Sequence, residues 1–304
     1  GFLGEFNLIP AQSGTSVIMA DGVRWLRPYG MLPHPNVYAG ILLIALLACV
    51  AWIVRNDRLR YVGVGAFLVI LWSFLLTFSR SAWLGLIVGA WVVLPLLLRS
   101  ALRHKTARHG LILAISASVI AGSAFFVIYQ PYIISRAQVG ESIEMRSVAD
   151  RIVFTDFALR AVSESRQNAL IGIGAGNFPW RTSYFLVDTD YDLRGNNVHH
   201  IWLTMVVENG LVGLILFLSA VILGIENSLR QFKRDHMIER GVLLAMIPAL
   251  GVIGLFDHYP VTLLHMQLLW WGVLAVAMSP PHKVQPTADV EAPPPVALPN
   301  TDHR

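Results

Sequence analysis

The chain has 304 residues, 55% of them hydrophobic and only 14% charged, with nine tryptophans, a formal net charge of +4 and a mean hydropathy of +0.58. That balance excludes an ordinary soluble domain and indicates an integral membrane protein with no nucleic-acid partner. The single cysteine, Cys49, lies in an apolar run, so neither an internal disulfide nor a thiolate metal cluster can be built.

From the N-terminus, the stretch before Met31 is neither a signal peptide nor a clear span, and the chain starts on glycine. The expectation is a fragment whose upstream helices are missing, with 1–35 an extracytoplasmic segment. Apolar runs follow at 36–54, 61–79, 82–98 and 110–129, and again at 200–225, 241–256 and 261–279. Each approaches the roughly 17 to 25 residues that cross a hydrocarbon core, which predicts an all-α polytopic bundle of seven spans. Four fall within 36–129 and three within 199–279. The run at 241–256 contains Pro248 and several glycines, so a kinked or partly re-entrant helix is expected there.

Arg55, Arg58 and Arg60 follow the first run, Arg99, Arg103, Lys105 and Arg108 the third, and Arg230, Lys233, Arg234 and Arg240 the fifth. The positive-inside rule makes these loops cytoplasmic. Alternation then puts the N-terminal stretch, the Ser79-Arg80-Ser81 turn, the segment 130–198 and the turn from Asp257 to Pro260 outside. The proline-rich tail, 280–304, reads as a disordered cytoplasmic end.

Segment 130–198 carries seven arginines, eight acids and no lysine. Long loops translocate largely regardless of charge, and guanidinium without ammonium suits bidentate recognition of phosphate or carboxylate. Within the segment, Ser147 to Asp150 looks like a capping box, and Val148, Ile152, Thr155, Leu159 and Val162 form one stripe of a short amphipathic helix that presents Arg151 near its start. Gly172, Gly174 and Gly176 lack the spacing of a dinucleotide loop and read as a tight turn that lets backbone approach another element.

Arg80 lies between two apolar runs, near where hydrocarbon begins, and such a charge is functional by default; a lipid-phosphate ligand is the sharper reading. His199 and His200 open the fifth run, where a neutral imidazole can activate a hydroxyl as general base. Glu208, farther along that run, needs a partner if buried. His34, His258 and His265 are too scattered for a zinc site.

Several motifs coincide in order along the chain. They are Arg27-Pro-Tyr-Gly-Met-Leu-Pro-His-Pro-Asn36, Thr77-Phe-Ser-Arg80, Arg151 with Leu170-Ile-Gly-Ile-Gly-Ala-Gly-Asn-Phe178, and His199-His-Ile-Trp-Leu-Thr-Met-Val-Val-Glu208-Asn-Gly-Leu-Val-Gly213. Together they resemble the O-antigen ligase and polymerase family of bacterial membrane glycosyltransferases, in its C-terminal portion, over roughly 27–271. His200 departs from the asparagine usual there, and Ser81 from the glycine that commonly follows the arginine.

The resemblance implies a GT-C-like helical fold with the active site on the extracytoplasmic face of the bacterial plasma membrane, and neither cofactor nor metal. The implied reaction is inverting transfer of a glycan from undecaprenyl-pyrophosphate to an acceptor hydroxyl, on lipid A-core or another glycan. It further implies Arg80, Arg151 and His199 as catalytic residues, with Arg27, Asn36, Gly174, Gly176, Asn177, His200 and Glu208 contacting substrate. Membrane lipid is the remaining partner. The alternative is a multi-span transporter or flippase-like protein for an anionic lipid or solute, which would show inverted repeats and broken helices near the midplane.

Overall fold

The computed structural model describes residues 8–11, 14–20, 22–55, 58–137, 142–185 and 197–280. The tail expected to be disordered lies, beyond Pro280, outside the described residues. An antiparallel hairpin, β1 Val17–Ala20 and β2 Val23–Leu26, precedes the helices. Then come α1 Pro35–Arg55, α2 Arg60–Leu76, α3 Arg80–Arg103, α4 Lys105–Ala137, α5 Ser142–Ser163, α6 Arg166–Ile171, α7 Phe178–Phe185, α8 Ile201–Asp235, α9 Ile238–Ile253, α10 Tyr259–Thr262 and α11 Leu264–Met278.

Each apolar run became a helix because nothing but apolar contact and backbone hydrogen bonding is available to it. Four of them, α1, α3, α4 and α8, are long and apolar enough to cross a membrane, and α2 and α11 are shorter apolar helices. The protein is therefore a helical membrane protein. Small residues set its tightest packing: a Cβ added at Gly85 of α3 would stand 2.8 Å from the Ala249 carbonyl oxygen of α9, and one at Gly110 of α4 would stand 2.5 Å from the Ile53 carbonyl oxygen of α1. α9 continues as helix through Pro248.

The hairpin was not anticipated in an all-α chain. Its Ile18 is buried with Phe78 and Phe125 in an aromatic cluster that Trp72, Trp83, Tyr129 and Tyr132 complete, and the Ser135 hydroxyl donates to the Met19 carbonyl. The helix expected to end at 129 instead kinks at Tyr129 (φ −110°, ψ 17°) and runs on to Ala137. Pro131 is the cause, since it removes one amide donor and crowds the carbonyl four residues earlier.

Two details of the long polar segment differ from the sequence expectation. α5 begins at Ser142, so Ser147 lies inside the helix rather than capping it. Its packed face is also a different stripe: Phe154, Ala158 and Ala161 are buried, while Ile152 and Leu159 are 65% and 55% exposed. Phe154 and its neighbours form a small core with Phe178, Val198 and Val207. Arg151 precedes Phe154 by three positions and so shares that packed face.

The glycine turn holds a helix break. α8 is interrupted at Gly210 (φ 67°, ψ −172°), and the Ile173 and Gly174 amides donate to the Val207 and Glu208 carbonyls at 2.9 and 3.0 Å. These bonds satisfy acceptors next to the break, the condition under which a break inside an apolar helix is tolerated. The contact requires glycine on both sides, because a Cβ at Gly172 would lie 2.3 Å from Glu208 backbone and one at Gly210 would lie 2.2 Å from the Leu170 carbonyl oxygen. Both have positive φ.

Candidate functional site

Up-and-down helices bring distant segments to one end of the bundle. There the start of α1, the starts of α3 and α8, the end of α4, the turn after α9 and the packed face of α5 meet.

Arg27 is the innermost of these residues. Only 4% exposed, it donates through Nε to the Thr77 carbonyl, through Nη1 to Ser16 Oγ and through Nη2 to Asn36 Oδ1, each at 2.7 Å. Asn36 in turn donates from Nδ2 to Asp257 Oδ2 at 3.2 Å, and Ser81 Oγ donates to the same oxygen at 3.0 Å. A guanidinium can only donate and a carboxylate only accept, so the Asn36 amide must face oxygen to Arg27 and nitrogen to Asp257. Burial pushes the Asp257 carboxyl up to about 6, against the opposing pull of Arg151, its two hydrogen bonds and Arg27. Burial also lowers Arg27, to about 10.

Three further arginines surround this node. Arg80, the first residue of α3, is exposed and donates from Nη1 to the Arg136 carbonyl at 3.1 Å. Arg136 lies within electrostatic reach of Arg27, Arg80 and Arg151, and Arg151 within reach of Asp257 and His199. Arg151 Nε is buried without a hydrogen-bond partner among the described residues. Arg27 and Arg151 act on Asp257, while Arg80 and Arg136 lie within reach of Arg27, so four guanidinium groups gather around one carboxylate, an imbalance that favours an anion.

Neutral imidazoles complete the site. Burial, then the Arg151 charge, lowers His199 to about 4. Its Nδ1 is buried and unpartnered among the described residues, and its ring meets Phe154 at 6.1 Å and His258 at 5.4 Å between centroids. Burial takes His258 down to about 3, with His199 adding to the effect. Thr262 Oγ1 lies 2.7 Å from His258 Nδ1 and donates to the His258 carbonyl at 3.2 Å.

His34, lowered by burial and then by Arg27 to about 3, accepts the Asn36 amide on Nδ1 at 3.1 Å. His200 caps α8 in the same way, its Nδ1 accepting the Leu203 amide at 3.2 Å. Asparagine is a preferred cap because its side-chain oxygen accepts such an amide; His200 does this with nitrogen.

The structure thus brings Arg27, Asn36, Arg80, Arg151 and His199 together. Gly174, Gly176, Asn177 and Glu208 lie apart from them, at the α8 break. There Asn177 Nδ2 donates to the Ile173 carbonyl at 2.9 Å, and Glu208 Oε1 accepts the Phe178 amide at 3.4 Å and is bonded by the Gly176 amide. Glu208 and Gly176 also border a cavity of about 560 Å³ that Asn197, Thr262, Gln267 and Trp271 help to line, so Thr262 links it to His258.

Sequence reasoning passed over Arg136, Asp257, His258 and Thr262. An acid and a histidine in a four-residue turn between apolar runs were the available signal, since charges at that depth are seldom idle.

The family model described as O-antigen ligase matches residues 65–218, just over half of the chain. The match runs from α2 to beyond the α8 break and takes in Arg80, Arg136, Arg151, the glycine turn and His199. No curated protein matches the chain. With its apolar helices and this match, the chain belongs to the O-antigen ligase family and is a membrane protein of glycosyltransferase type.

Proposed function

We propose that the protein transfers a glycan from an undecaprenyl-pyrophosphate carrier to an acceptor hydroxyl at the extracytoplasmic face of the bacterial plasma membrane. In this reading seven helices span the bilayer in a GT-C-like arrangement, the basic loops and the C-terminus are cytoplasmic, and the arginine and histidine end faces outward. The observation that carries the proposal is the gathering of four guanidinium groups and a neutral, unengaged His199 at one end of an apolar bundle.

The chemistry follows from those groups. The acceptor oxygen attacks the anomeric carbon as its proton passes to His199. The bond from that carbon to the diphosphate oxygen breaks on the opposite side, so configuration inverts. Charge developing on the departing diphosphate is met by Arg80, Arg136 and Arg151, the electrostatic stabilisation that contributes most where water is excluded. Arg27 is committed to Thr77, Ser16 and Asn36 and acts as a positioning residue. The glycine turn and Glu208 hold the α8 break in shape rather than touch the diphosphate.

His199 is a weak base by itself, its imidazole lowered to about 4. Burial is the larger cause and Arg151 the second, so a bound diphosphate, by neutralising Arg151, raises the imidazole and makes it a better base when the donor is present.

A transporter would show a broken helix, and α8 is broken at Gly210. There, however, the Val207 and Glu208 carbonyls are taken up by loop amides rather than left open to ions.

The test is glycan transfer in membranes by His199→Ala and Arg80→Lys variants that insert normally and retain lipid-linked donor. General-base losses are on the order of 10² to 10⁴-fold; wild-type turnover by both variants refutes the assignment. Surface glycans after gene deletion separate two acceptors: unattached polymer indicates a ligase, single repeat units a polymerase.

A further inference from the structure

The opposite end of the bundle carries a second basic site that the transfer reaction does not use. The ends of α1, α3 and α8 and the start of α9 enclose a cavity of about 500 Å³ whose walls include Arg55, Arg99, Arg103, Asp235 and Glu239. Glu239 pairs with Arg55 and Asp235 Oδ1 accepts the Met237 amide at 3.0 Å, so three arginines face two carboxylates and the hollow keeps an excess of positive charge. Among the described residues no carboxylate pairs with Arg99 or Arg103.

Arg55 and Glu239 also line an adjoining cavity of about 720 Å³ whose remaining wall is largely apolar, with Trp52, Leu243, Met246 and Val276. Cations in the last turns of helices answer the carbonyl ends there, which accounts for their sign but not for a cavity between four helices. A basic hollow joined to an apolar one, at the level where apolar helices end, matches a ligand with an anionic head and a hydrocarbon tail. Basic pockets between helices at the cytoplasmic level are the usual setting for such headgroups.

We propose that this end of the bundle binds an anionic phospholipid, with its phosphate on Arg99 and Arg103 and an acyl chain along Trp52, Leu243 and Met246. The bound lipid bridges α1 and α3 to the α8–α9 turn. The inference stands independently of the glycan-transfer reading.

The test uses the full chain purified in neutral detergent, incubated with phosphatidylglycerol or phosphatidylcholine of identical acyl chains and read by native mass spectrometry and thermal unfolding. Phosphatidylglycerol is expected to be retained and to raise the unfolding temperature, phosphatidylcholine not, and millimolar glycerol phosphate not. The double variant Arg99→Gln/Arg103→Gln loses roughly thirtyfold in phosphatidylglycerol affinity, on the order of fivefold for each arginine. Arg230→Gln, at the same end but outside both cavities, leaves retention unchanged.

Arg99→Lys/Arg103→Lys, which keeps the charge, retains most of the binding and guards against misfolding of the glutamine variant. Equal retention of both lipids, undiminished phosphatidylglycerol binding by the glutamine variant, or an equal loss in Arg230→Gln overturns the proposal. Full displacement of the lipid by glycerol phosphate also overturns it, in favour of a simple anion site.

Discussion

The two ends of this bundle are both rich in arginine and differ in what the arginines do. At the hairpin end Arg27 and Arg151 turn inward, Arg27 being 4% exposed with its fork spent on three acceptors and Arg151 lying on the packed face of α5, while Arg80 is exposed at the rim and bonded to the Arg136 carbonyl. At the other end Arg55 and Arg230 have side chains 66% and 74% exposed and pair with Glu239 and Glu226. Arg60 is the exception, buried and donating to the Ile53 and Thr106 carbonyls at 3.0 Å, where it ties α1 to α4. Burial, not residue type, separates a structural arginine such as Arg27 or Arg60 from one in a surface pair, because solvent screens the exposed pairs.

That contrast can be broken by exchange. Arg27→Met leaves the Thr77 carbonyl, Ser16 Oγ and Asn36 Oδ1 without their shared donor and should cost about 3 kcal/mol, roughly 1 kcal/mol for each acceptor, whereas Arg55→Met should cost under about 1 kcal/mol. Thermal unfolding of the two variants in one detergent compares them directly, and equal losses would remove the distinction.

Gly210→Ala comes next in size. It puts a side chain on positive φ, at about 1 to 3 kcal/mol, and drives Cβ toward the Leu170 carbonyl 2.2 Å away. Faster proteolysis of the segment between α5 and α7 is the expected result, with the α1–α3 core intact.

A pH profile sharpens the chemical side. Neutral imidazole is the working form of His199, so transfer falls as pH falls through its pKa. The acid limb of kcat/KM, which reports the free enzyme, should lie near 4. The limb of kcat should lie higher, because bound diphosphate offsets Arg151. Coincident limbs would show that Arg151 and the donor do not meet at His199. The smallest effect is expected at Arg230→Gln, which loses an exposed pair four residues apart on α8 and should shift stability by no more than about 0.5 kcal/mol.

The length of the apolar runs was enough to locate the apolar helices, because each run must satisfy its backbone internally in lipid. The α5 stripe was misread for a physical reason: 148, 152, 155 and 159 and 154, 158 and 161 both have helical spacing, and only the partner helix decides which faces inward. The small Ala158 and Ala161 let α5 approach closely, whereas Ile152 and Leu159 remain on its outer side. The kink at Tyr129 was legible in Pro131; the continuation of helix beyond it depended on packing against the hairpin.

The sequence by itself determined the membrane class, the helical runs, the sign of charge in each connecting loop and the glycines without which two backbones could not touch. These follow from composition and local sterics. Only the tertiary structure decided that Arg27, Asn36, Ser81 and Asp257 form one buried network, that His258 stands against His199, and that Arg151 lies within electrostatic reach of His199 and Asp257. Asn36 and Asp257 are 221 positions apart, and no local pattern encodes such a pair. Their meeting depends on how the helices pack.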